Sequence, residues 1–249
     1  MIRRLLTAIA FLTRIPINPA RPFDGEDVAR ASVFFPLVGC LIVLLQWALL
    51  LILDSVGVHA VLQALAATIL LVLLGGGLHQ DGLADMADGF GGAFEREKVL
   101  IIMKDSTIGT YGGLALLLAL ATRISAMVLL IQHEVVLMGL LAAAAVSRCS
   151  IVLAWRLPYA RDIGTGQSIT QLTGPKEVAG ALVFAILIAL ACLGLQGVTV
   201  LIMAALTFVF MGWLCVRKIG GVTGDTLGAT TEITEVLLLA TIATLAAAS

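Results

Sequence analysis

The sequence predicts an all-α fold, a polytopic membrane bundle of about seven transmembrane helices that forms one domain over residues 1–249. Of the 249 residues, 60% are hydrophobic and 12% are charged, whereas soluble domains are about half apolar and about a quarter charged. Mean hydropathy is +1.09. Apolar runs close to the about 20 residues that cross a bilayer recur along the chain, and short polar breaks separate them.

Charge and cysteine content exclude two other classes of protein. The chain has 15 Lys and Arg against 16 Asp and Glu, and this balance argues against a nucleic-acid partner, which calls for a basic face. The four cysteines occur singly in apolar runs without metal or redox spacing, and we interpret them as core residues: Cys40, Cys149, Cys192 and Cys215.

The first segment, MIRRLLTAIAFLTRIPINP, predicts a helix at the membrane interface. Arg3 and Arg4 precede a short apolar stretch, which is also typical of a cleaved signal peptide. No small-residue cleavage site follows, and Arg14 ends the stretch too early for a span. The interfacial helix is therefore the favoured interpretation.

Seven apolar runs follow, and we predict a membrane span for each. The seventh is short. They cover about residues 33–53, 58–78, 111–131, 135–155, 178–196, 198–216 and 236–248.

Lys and Arg alternate between the polar breaks, which predicts the topology because these residues are retained on the cytoplasmic side. The N-terminus and every second break carry them, whereas the other breaks have none. Three long polar segments therefore fall on the cytoplasmic face: residues 79–110, 156–177 and 217–235. The opposite face has short turns only. We expect the chemistry on the cytoplasmic face.

Three aspartates in the stretch GGLHQDGLADMADGFGG predict a metal site. If this stretch is helical, Asp81, Asp85 and Asp88 stand at i, i+4 and i+7 and share one stripe. Like charges so placed repel, and a hard divalent cation such as Mg²⁺ relieves the repulsion while leaving positions for water or phosphate. The alternative is a solvated helix face.

The stretch IMKDSTIGTYGG predicts a phosphate-binding turn before the third span. Lys104 offsets phosphate charge, Ser106 is a hydroxyl donor, and Asp105 is a candidate base. Asp105 or Ser106 could instead simply cap the following helix.

The last polar segment, GGVTGDTLGATTEITE, contains a second group of carboxylates. Asp225, Glu232 and Glu235 are expected on the same face as the first group, where they would bind a polar substrate or a second metal. Ordinary capping and loop formation is the alternative.

Four further residues are candidates for supporting roles. Arg123 and Arg148 lie within predicted spans, where charge is expensive, and each either contacts a substrate phosphate or pairs with a carboxylate. Arg161 either lines the ligand site or is simply one of the basic residues that keep this loop on the cytoplasmic side. His79 beside Asp81 is a candidate base or partner of a ligand, although a lone interfacial histidine is more often structural.

Together, GGLHQDGLADMADG, IMKDSTIGTYGGLAL, LPYARDIGTG and GGVTGDTLGATTEITEV closely resemble the cobalamin synthase family, the adenosylcobinamide-GDP ribazoletransferases. FLTRIPI and FFPLVG match as well, so the resemblance runs from about residue 10 to residue 240. One departure is Gln80, where an apolar residue is usual; the neighbouring Asp81 is retained.

The resemblance implies an Mg²⁺-dependent enzyme of the bacterial inner membrane. It would join adenosylcobinamide-GDP to α-ribazole or α-ribazole 5′-phosphate and release GMP. A diphosphate must then be held and a ribose hydroxyl brought in line with phosphorus, and carboxylates with a basic residue provide those parts.

Two other functions remain open at this point. A membrane phosphatidyltransferase or prenyltransferase would also use clustered aspartates on Mg²⁺ and diphosphate. A divalent-cation transporter would also explain acidic clusters, but it should place them near the bilayer midplane on a path open to both faces. The residues leave the oligomeric state, the number of metal ions and the identity of the base open.

Overall fold

The computed structural model describes residues 1–17, 22–161 and 165–248, with Thr165 described by its backbone alone. Regular structure within these ranges is helical, and a short 3-10 turn, Ser32–Phe34, precedes α3. The helices are α1 (Ile2–Leu12), α2 (Gly25–Ala31), α3 (Phe35–Ser55), α4 (Ala60–Gly75), α5 (Leu78–Gly92), α6 (Arg96–Ile102), α7 (Thr110–Gln132), α8 (Val136–Ala154), α9 (Thr165–Leu172), α10 (Pro175–Leu193), α11 (Gln196–Ile219) and α12 (Gly224–Ala247).

Six helical segments of the described chain are long and apolar enough to cross a membrane, and they confirm the predicted bundle. The first is continuous through α2, the 3-10 turn and α3, and the others are α7, α8, α10, α11 and α12. Helix α4 is shorter, and it becomes a seventh crossing when it is taken together with α5 as one bent pair.

The axis of α5 turns by 88° from that of α4. Gly76 and Gly77 lie between the two helices with φ values of 63° and 71°, a left-handed conformation that glycine adopts without steric cost. The predicted span 58–78 therefore ends at Gly75. We treat α4 as the crossing part and α5 as a polar helix that lies across the ends of α7 and α12, outside the spans.

The last span begins well before the predicted residue 236, because α12 already starts at Gly224. Thr223 caps it by accepting a hydrogen bond from the Thr226 backbone N–H. The hydroxyls of Thr230 and Thr231 donate to carbonyls one turn earlier. Glycine and threonine favoured a loop in the sequence, but close packing of α12 against α5 stabilises the helix instead.

Helix α8 is the centre of the bundle and packs against α3, α10 and α12. Four consecutive alanines, residues 142–145, are at most 2% exposed. A Cβ added at Gly39 of α3 would lie 2.7 Å from the Ala144 carbonyl oxygen. Such small residues let helix backbones approach closely, which is the usual source of packing energy between helices in lipid.

The three long polar segments meet at one end of the bundle, as predicted. Arg96 donates to the Ile219 carbonyl at 2.8 Å and to the Ala160 carbonyl at 2.7 Å. A bridge between Tyr159 and Val222 joins the second segment to the third. The other end has the tight turns at Gly57 and Gly194.

The predicted N-terminal helix is present as α1, at the same end as the polar segments. Its buried side, which includes Ala8 and Leu12, packs against α2 and α3. Arg3 pairs with Asp27 of α2 at 2.7 Å. Ile2 and Leu5 remain exposed, and this two-sided character suits a helix at a membrane interface.

Candidate active site

The aspartate stripe lies on α5, so the predicted helix is confirmed. Its three members differ in environment: Asp81 is exposed, Asp85 is half-buried and Asp88 is buried. The stripe therefore runs from the surface into the protein, and its members do not have equal access to a ligand.

Asp88, at the buried end of the stripe, accepts hydrogen bonds from the start of α7. One of its carboxylate oxygens accepts the Gly109 backbone N–H at 2.7 Å, and the other accepts the Gly112 N–H at 2.9 Å. These N–H groups belong to the first turn of α7, where they have no partner within the helix. The structure thus corrects the prediction for Asp88, because both of its oxygens are engaged in capping.

Asp85 is the aspartate whose ionisation is most perturbed. The pKa of its carboxyl is raised to about 6; partial burial is the largest cause, the neighbouring carboxylates Asp81, Asp225 and Asp88 contribute in that order, and Arg161 opposes them. Negative charge is therefore concentrated around Asp85. A bound cation would relieve the repulsion.

The donor chemistry fits Mg²⁺, but with fewer protein ligands than predicted. Within the described ranges, no three Asp, Glu, His or Cys side chains are arranged to hold one ion. Mg²⁺ is commonly bound through one or two carboxylates and completes its shell with water and substrate phosphates. Asp81 and Asp85 are the members of the stripe that meet this description.

Asp225 joins the site from the first turn of α12. Its carboxylate accepts from the Arg161 guanidinium at 2.9 Å, and both side chains are about one-quarter exposed. A Cβ added at Gly82 of α5 would lie 2.5 Å from the Asp225 carbonyl oxygen, so glycine is required for this contact. The predicted pairing of the α5 and α12 carboxylates on one face is confirmed for Asp225.

Glu232 and Glu235 are buried, whereas the sequence predicted that they would bind a polar substrate or a second metal. They are 1% and 4% exposed and form a charge network inside the bundle. Arg123 of α7 binds Glu232 at 2.8 Å and Glu235 at 2.6 Å. Arg148 of α8 pairs with Glu235. For both arginines, the structure therefore shows the second of the two predicted roles, pairing with a carboxylate.

Two polar residues complete this network. The side chain of Ser147 donates to Glu235 at 3.1 Å, and that of Gln80 donates to Glu232 at 2.7 Å. Gln80 stands where the resembled family has an apolar residue, and here it connects the buried network to α5. The sequence predicts these glutamates at the entry to the last span, where they would bind a substrate or a metal, but α12 carries them into the bundle interior, where only paired charges are tolerated.

Lys104, Asp105 and Ser106 lie exposed in the turn between α6 and α7. Asp105 accepts the Thr107 backbone N–H at 2.9 Å. Hydrogen bonding from Thr107 lowers the pKa of the Asp105 carboxyl. Thr107 thus favours the ionised form of this candidate base.

His79 lies at the start of α5 beside a cavity. Burial lowers the pKa of its imidazole to about 3, and the positive charges of Arg148 and Arg123 contribute. His79 is therefore neutral at physiological pH.

The cavity has a volume of about 220 Å³ and was not predicted from the sequence. It lies between the site ends of α1, α5, α8, α9 and α12. Asp81 and Asp225 form part of its wall, together with Phe11, Trp155 and Tyr159. Tyr159 belongs to the LPYARDIGTG stretch and Phe11 to the FLTRIPI stretch, whereas Trp155 lies in no motif that the sequence singled out.

Comparison with known proteins identifies relatives along the whole chain. An adenosylcobinamide-GDP ribazoletransferase of a Sinorhizobium species is 40% identical, over 95% of this chain and 94% of the relative. Proteins of the same name from Klebsiella pneumoniae and Rhizobium etli are 39% and 42% identical, over 96% and 95% of this chain and 98% and 95% of their own lengths. No solved structure matches the chain.

The family model described as cobalamin-5-phosphate synthase matches residues 4–243. That range contains all the helices except the first two residues of α1 and the last four of α12, and it includes the aspartate stripe, the Arg161–Asp225 pair and the buried charge network. The chain therefore belongs to the cobalamin-5-phosphate synthase family.

Proposed function

We propose that this chain joins adenosylcobinamide-GDP to α-ribazole or α-ribazole 5′-phosphate and releases GMP, as the late nucleotide-loop step of adenosylcobalamin synthesis. The observation that carries the proposal is the match to ribazoletransferases over about 95% of the chain. The site geometry supports it, since carboxylates, an arginine and a cavity are gathered at one end of a membrane bundle.

The reaction transfers a phosphoryl-linked corrinoid. An oxygen–phosphorus bond forms between a ribose hydroxyl and the corrinoid-side phosphorus, and the bond from that phosphorus to GMP breaks. The hydroxyl proton passes to a base, and GMP leaves with the bonding electron pair. Such a transfer depends mainly on positioning and on neutralising charge.

Asp81 and Asp85 would hold Mg²⁺, which supplies neutralisation of the diphosphate charge when bound. Arg161 contacts the same diphosphate from the α12 side, where Asp225 fixes the guanidinium. Lys104 and Ser106 are assigned to the phosphate from the turn before α7. This arrangement places the substrate phosphates between α5, the segment that carries Arg161 and the turn before α7.

Asp105 is proposed to accept or orient the attacking hydroxyl. The nucleophile must approach on the side opposite the departing GMP, so its partner should differ from the groups that hold the diphosphate. Asp105 lies outside the stripe, and Asp88 ties the following segment to α5 through Gly109. An ionised carboxylate in this turn is suited to the task.

We place the protein in the bacterial inner membrane, with the site facing the cytoplasm. The distribution of Lys and Arg supports this orientation, because the segments that carry them gather at the end where the aspartates lie. The same gathering at one end disfavours a cation transporter, whose carboxylates would line a path open to both faces.

The test is turnover by the purified full-length protein. We expect GMP and a complete corrinoid from adenosylcobinamide-GDP, α-ribazole 5′-phosphate and Mg²⁺, and we expect no product when a chelator removes the metal. A parallel reaction with a prenyl diphosphate and with CDP-diacylglycerol in place of the corrinoid tests the lipid alternative. Product from a lipid substrate, with none from the corrinoid, would overturn the proposal.

A further inference from the structure

The cavity beside Asp81 and Asp225 is too small for the larger substrate. Pockets that enclose a drug-sized ligand measure about 300–1,000 Å³, whereas this one measures about 220 Å³. A corrinoid macrocycle is larger than a typical drug. The cavity is therefore suited to a single small ring system.

Most of the cavity wall is apolar and part of it is a rigid aromatic surface. Trp155 is 2% exposed. Phe35 and Phe11 hold its ring edge-on, with centroids 5.5 Å and 6.5 Å away. Ile151 and Ile169 add aliphatic surface. Flat aromatic ligands bind well against such surfaces, because ring stacking adds to the burial of apolar area.

Among the described residues, four polar side chains line the cavity, His79, Asp81, Tyr159 and Asp225, and the two carboxylates among them belong to the proposed reaction centre. Asp81 and Asp225 line the cavity, and Arg161 is bonded to Asp225. A ligand whose ring is buried against Trp155 and whose sugar extends toward these residues would bring its hydroxyls close to the diphosphate. The geometry is that of an acceptor site next to a phosphate site.

From this geometry we infer that the cavity binds the aromatic base of the α-ribazole acceptor and thereby positions its ribose for attack. The inference rests on the proposed function and adds a location for one of its two substrates. It makes Trp155 and the cavity wall determinants of which bases are accepted.

Guanine, the ring of the leaving nucleotide, is the main competing occupant. It carries several hydrogen-bonding atoms around its edge. In the described part of this wall Asp81 and Asp225 are assigned to the diphosphate and its metal, which leaves only His79 and Tyr159 among mainly Phe, Leu, Ile and Trp side chains, so several of these atoms would stay unpaired. Unpaired polar groups in a buried site strongly reduce affinity. A benzimidazole ring has only its nitrogens to satisfy, so it suits this wall better.

Gly224 provides a sharp test. It lines the cavity, and a Cβ added to it would meet no atom within 4 Å. A Gly224→Leu substitution therefore meets no clash at its Cβ, and we expect the longer side chain to occupy part of the cavity that Gly224 lines. Gly113 of α7 is the matched control, since its added Cβ also meets open space and it lies outside the cavity wall.

Gly224→Leu should raise the KM for α-ribazole 5′-phosphate about tenfold or more, the scale of discrimination by apolar pockets. The KM for adenosylcobinamide-GDP should stay near that of the parent protein, and Gly113→Leu should change neither constant. An unchanged acceptor KM in an active Gly224→Leu enzyme would overturn the inference while leaving the proposed function intact. Absence of turnover in the unmodified protein would overturn the function itself.

A binding measurement makes the test independent of turnover and of how well Gly224→Leu folds. With Trp47→Phe and Trp213→Phe, the fluorescence of the full-length protein reports on Trp155 alone. We expect α-ribazole to change the emission of Trp155, and we expect added GMP to leave that change in place. Gly224→Ala should make the change caused by α-ribazole smaller. If GMP alters the emission and α-ribazole does not, the cavity binds guanine and the inference is wrong.

Discussion

Asp85 and Asp88 are less than one helical turn apart, yet they have different partners. Asp88 gives both oxygens to backbone N–H groups of α7. Asp85 is half-buried among other carboxylates. Their replacement by asparagine should therefore have different consequences, although the chemical change is the same.

Asp85→Asn should reduce turnover by orders of magnitude while the protein still inserts in the membrane. The change keeps the size of the side chain but removes the charge that we assign to Mg²⁺. The measurement is GMP release as a function of Mg²⁺ concentration, with thermal unfolding as the control for folding. Near-normal turnover with an unchanged Mg²⁺ requirement would show that Asp85 does not hold the metal.

Asp88→Asn should mainly reduce stability. An asparagine has one carbonyl oxygen, so it can accept only one of the two N–H groups at the start of α7, and the loss of such a cap costs about 1 kcal/mol. We expect a lower unfolding midpoint and an Mg²⁺ requirement like that of the parent protein. A raised Mg²⁺ requirement with normal stability would return Asp88 to the metal site.

Asp105→Asn should bind Mg²⁺ and adenosylcobinamide-GDP with nearly normal affinity and turn over slowly. The change removes the carboxylate that we assign to the attacking hydroxyl and leaves the diphosphate site intact. Parallel loss of Mg²⁺ affinity and turnover would place Asp105 among the metal ligands. In that case Asp225, on the cavity wall, becomes the next candidate for the base.

At the scale of elements, α7, α8 and α12 are joined by buried charges. Two arginines and two glutamates share the network, so its formal charge is zero. Removal of one member leaves an uncompensated buried charge. A buried charge that has lost its partner destabilises the fold more than the loss of both partners does, because the remaining charge is out of water and unpaired.

Arg123→Gln should therefore lower the free energy of unfolding by about 3–5 kcal/mol. Adding Glu235→Gln should recover part of the loss, since Arg148 and Glu232 then balance each other. Thermal or denaturant unfolding of both single variants and the double variant measures the coupling. Arg30→Gln is the control, because its pair with Glu26 is more than half exposed. Strictly additive effects would contradict a shared network.

The sequence could predict α5 and not the start of α12, for a physical reason. The spacing of the aspartates in α5 lies within one short stretch of sequence, so it indicates a helix whatever this stretch packs against. The segment 220–235 is rich in glycine and threonine, and its local preference is for a loop. Its helix is stabilised by contacts with residues far away in the chain, among them Arg123, which is 112 positions before Glu235.

The same distinction explains what could be foreseen of the site. Asp81, Asp85 and Asp225 follow from motifs, because several carboxylates in an apolar chain already indicate chemistry. The cavity combines side chains from five helices, and no stretch of sequence contains its pattern. The sequence predicts no role for Gln80, and the structure shows that its side chain donates a hydrogen bond to Glu232.

At the scale of the whole molecule, the proposed orientation can be measured. On a cysteine-free background, Lys98→Cys and Lys176→Cys report on the site end, and Ser55→Cys reports on the other end; all three positions are exposed. In intact cells, an impermeant thiol reagent should label the cysteine at 55 only. Labelling at 98 or 176 before the membrane is opened would contradict a cytoplasmic site.

The separation of Arg123 from its partners has a consequence for biogenesis. A ribosome delivers α7 to the membrane more than 100 residues before Glu232 and Glu235 emerge. An arginine in a span costs about 2.5–3.5 kcal/mol on insertion scales, and the apolar residues of α7 must outweigh that penalty alone; the mean hydropathy of its apolar window is 2.4 with Arg123 included. Nascent chains that stop before α12 would therefore leave Arg123 uncompensated. Helix α12 therefore neutralises Arg123 only after α7 has entered the membrane, and the charge of Arg123 distinguishes molecules that contain α12 from those that do not.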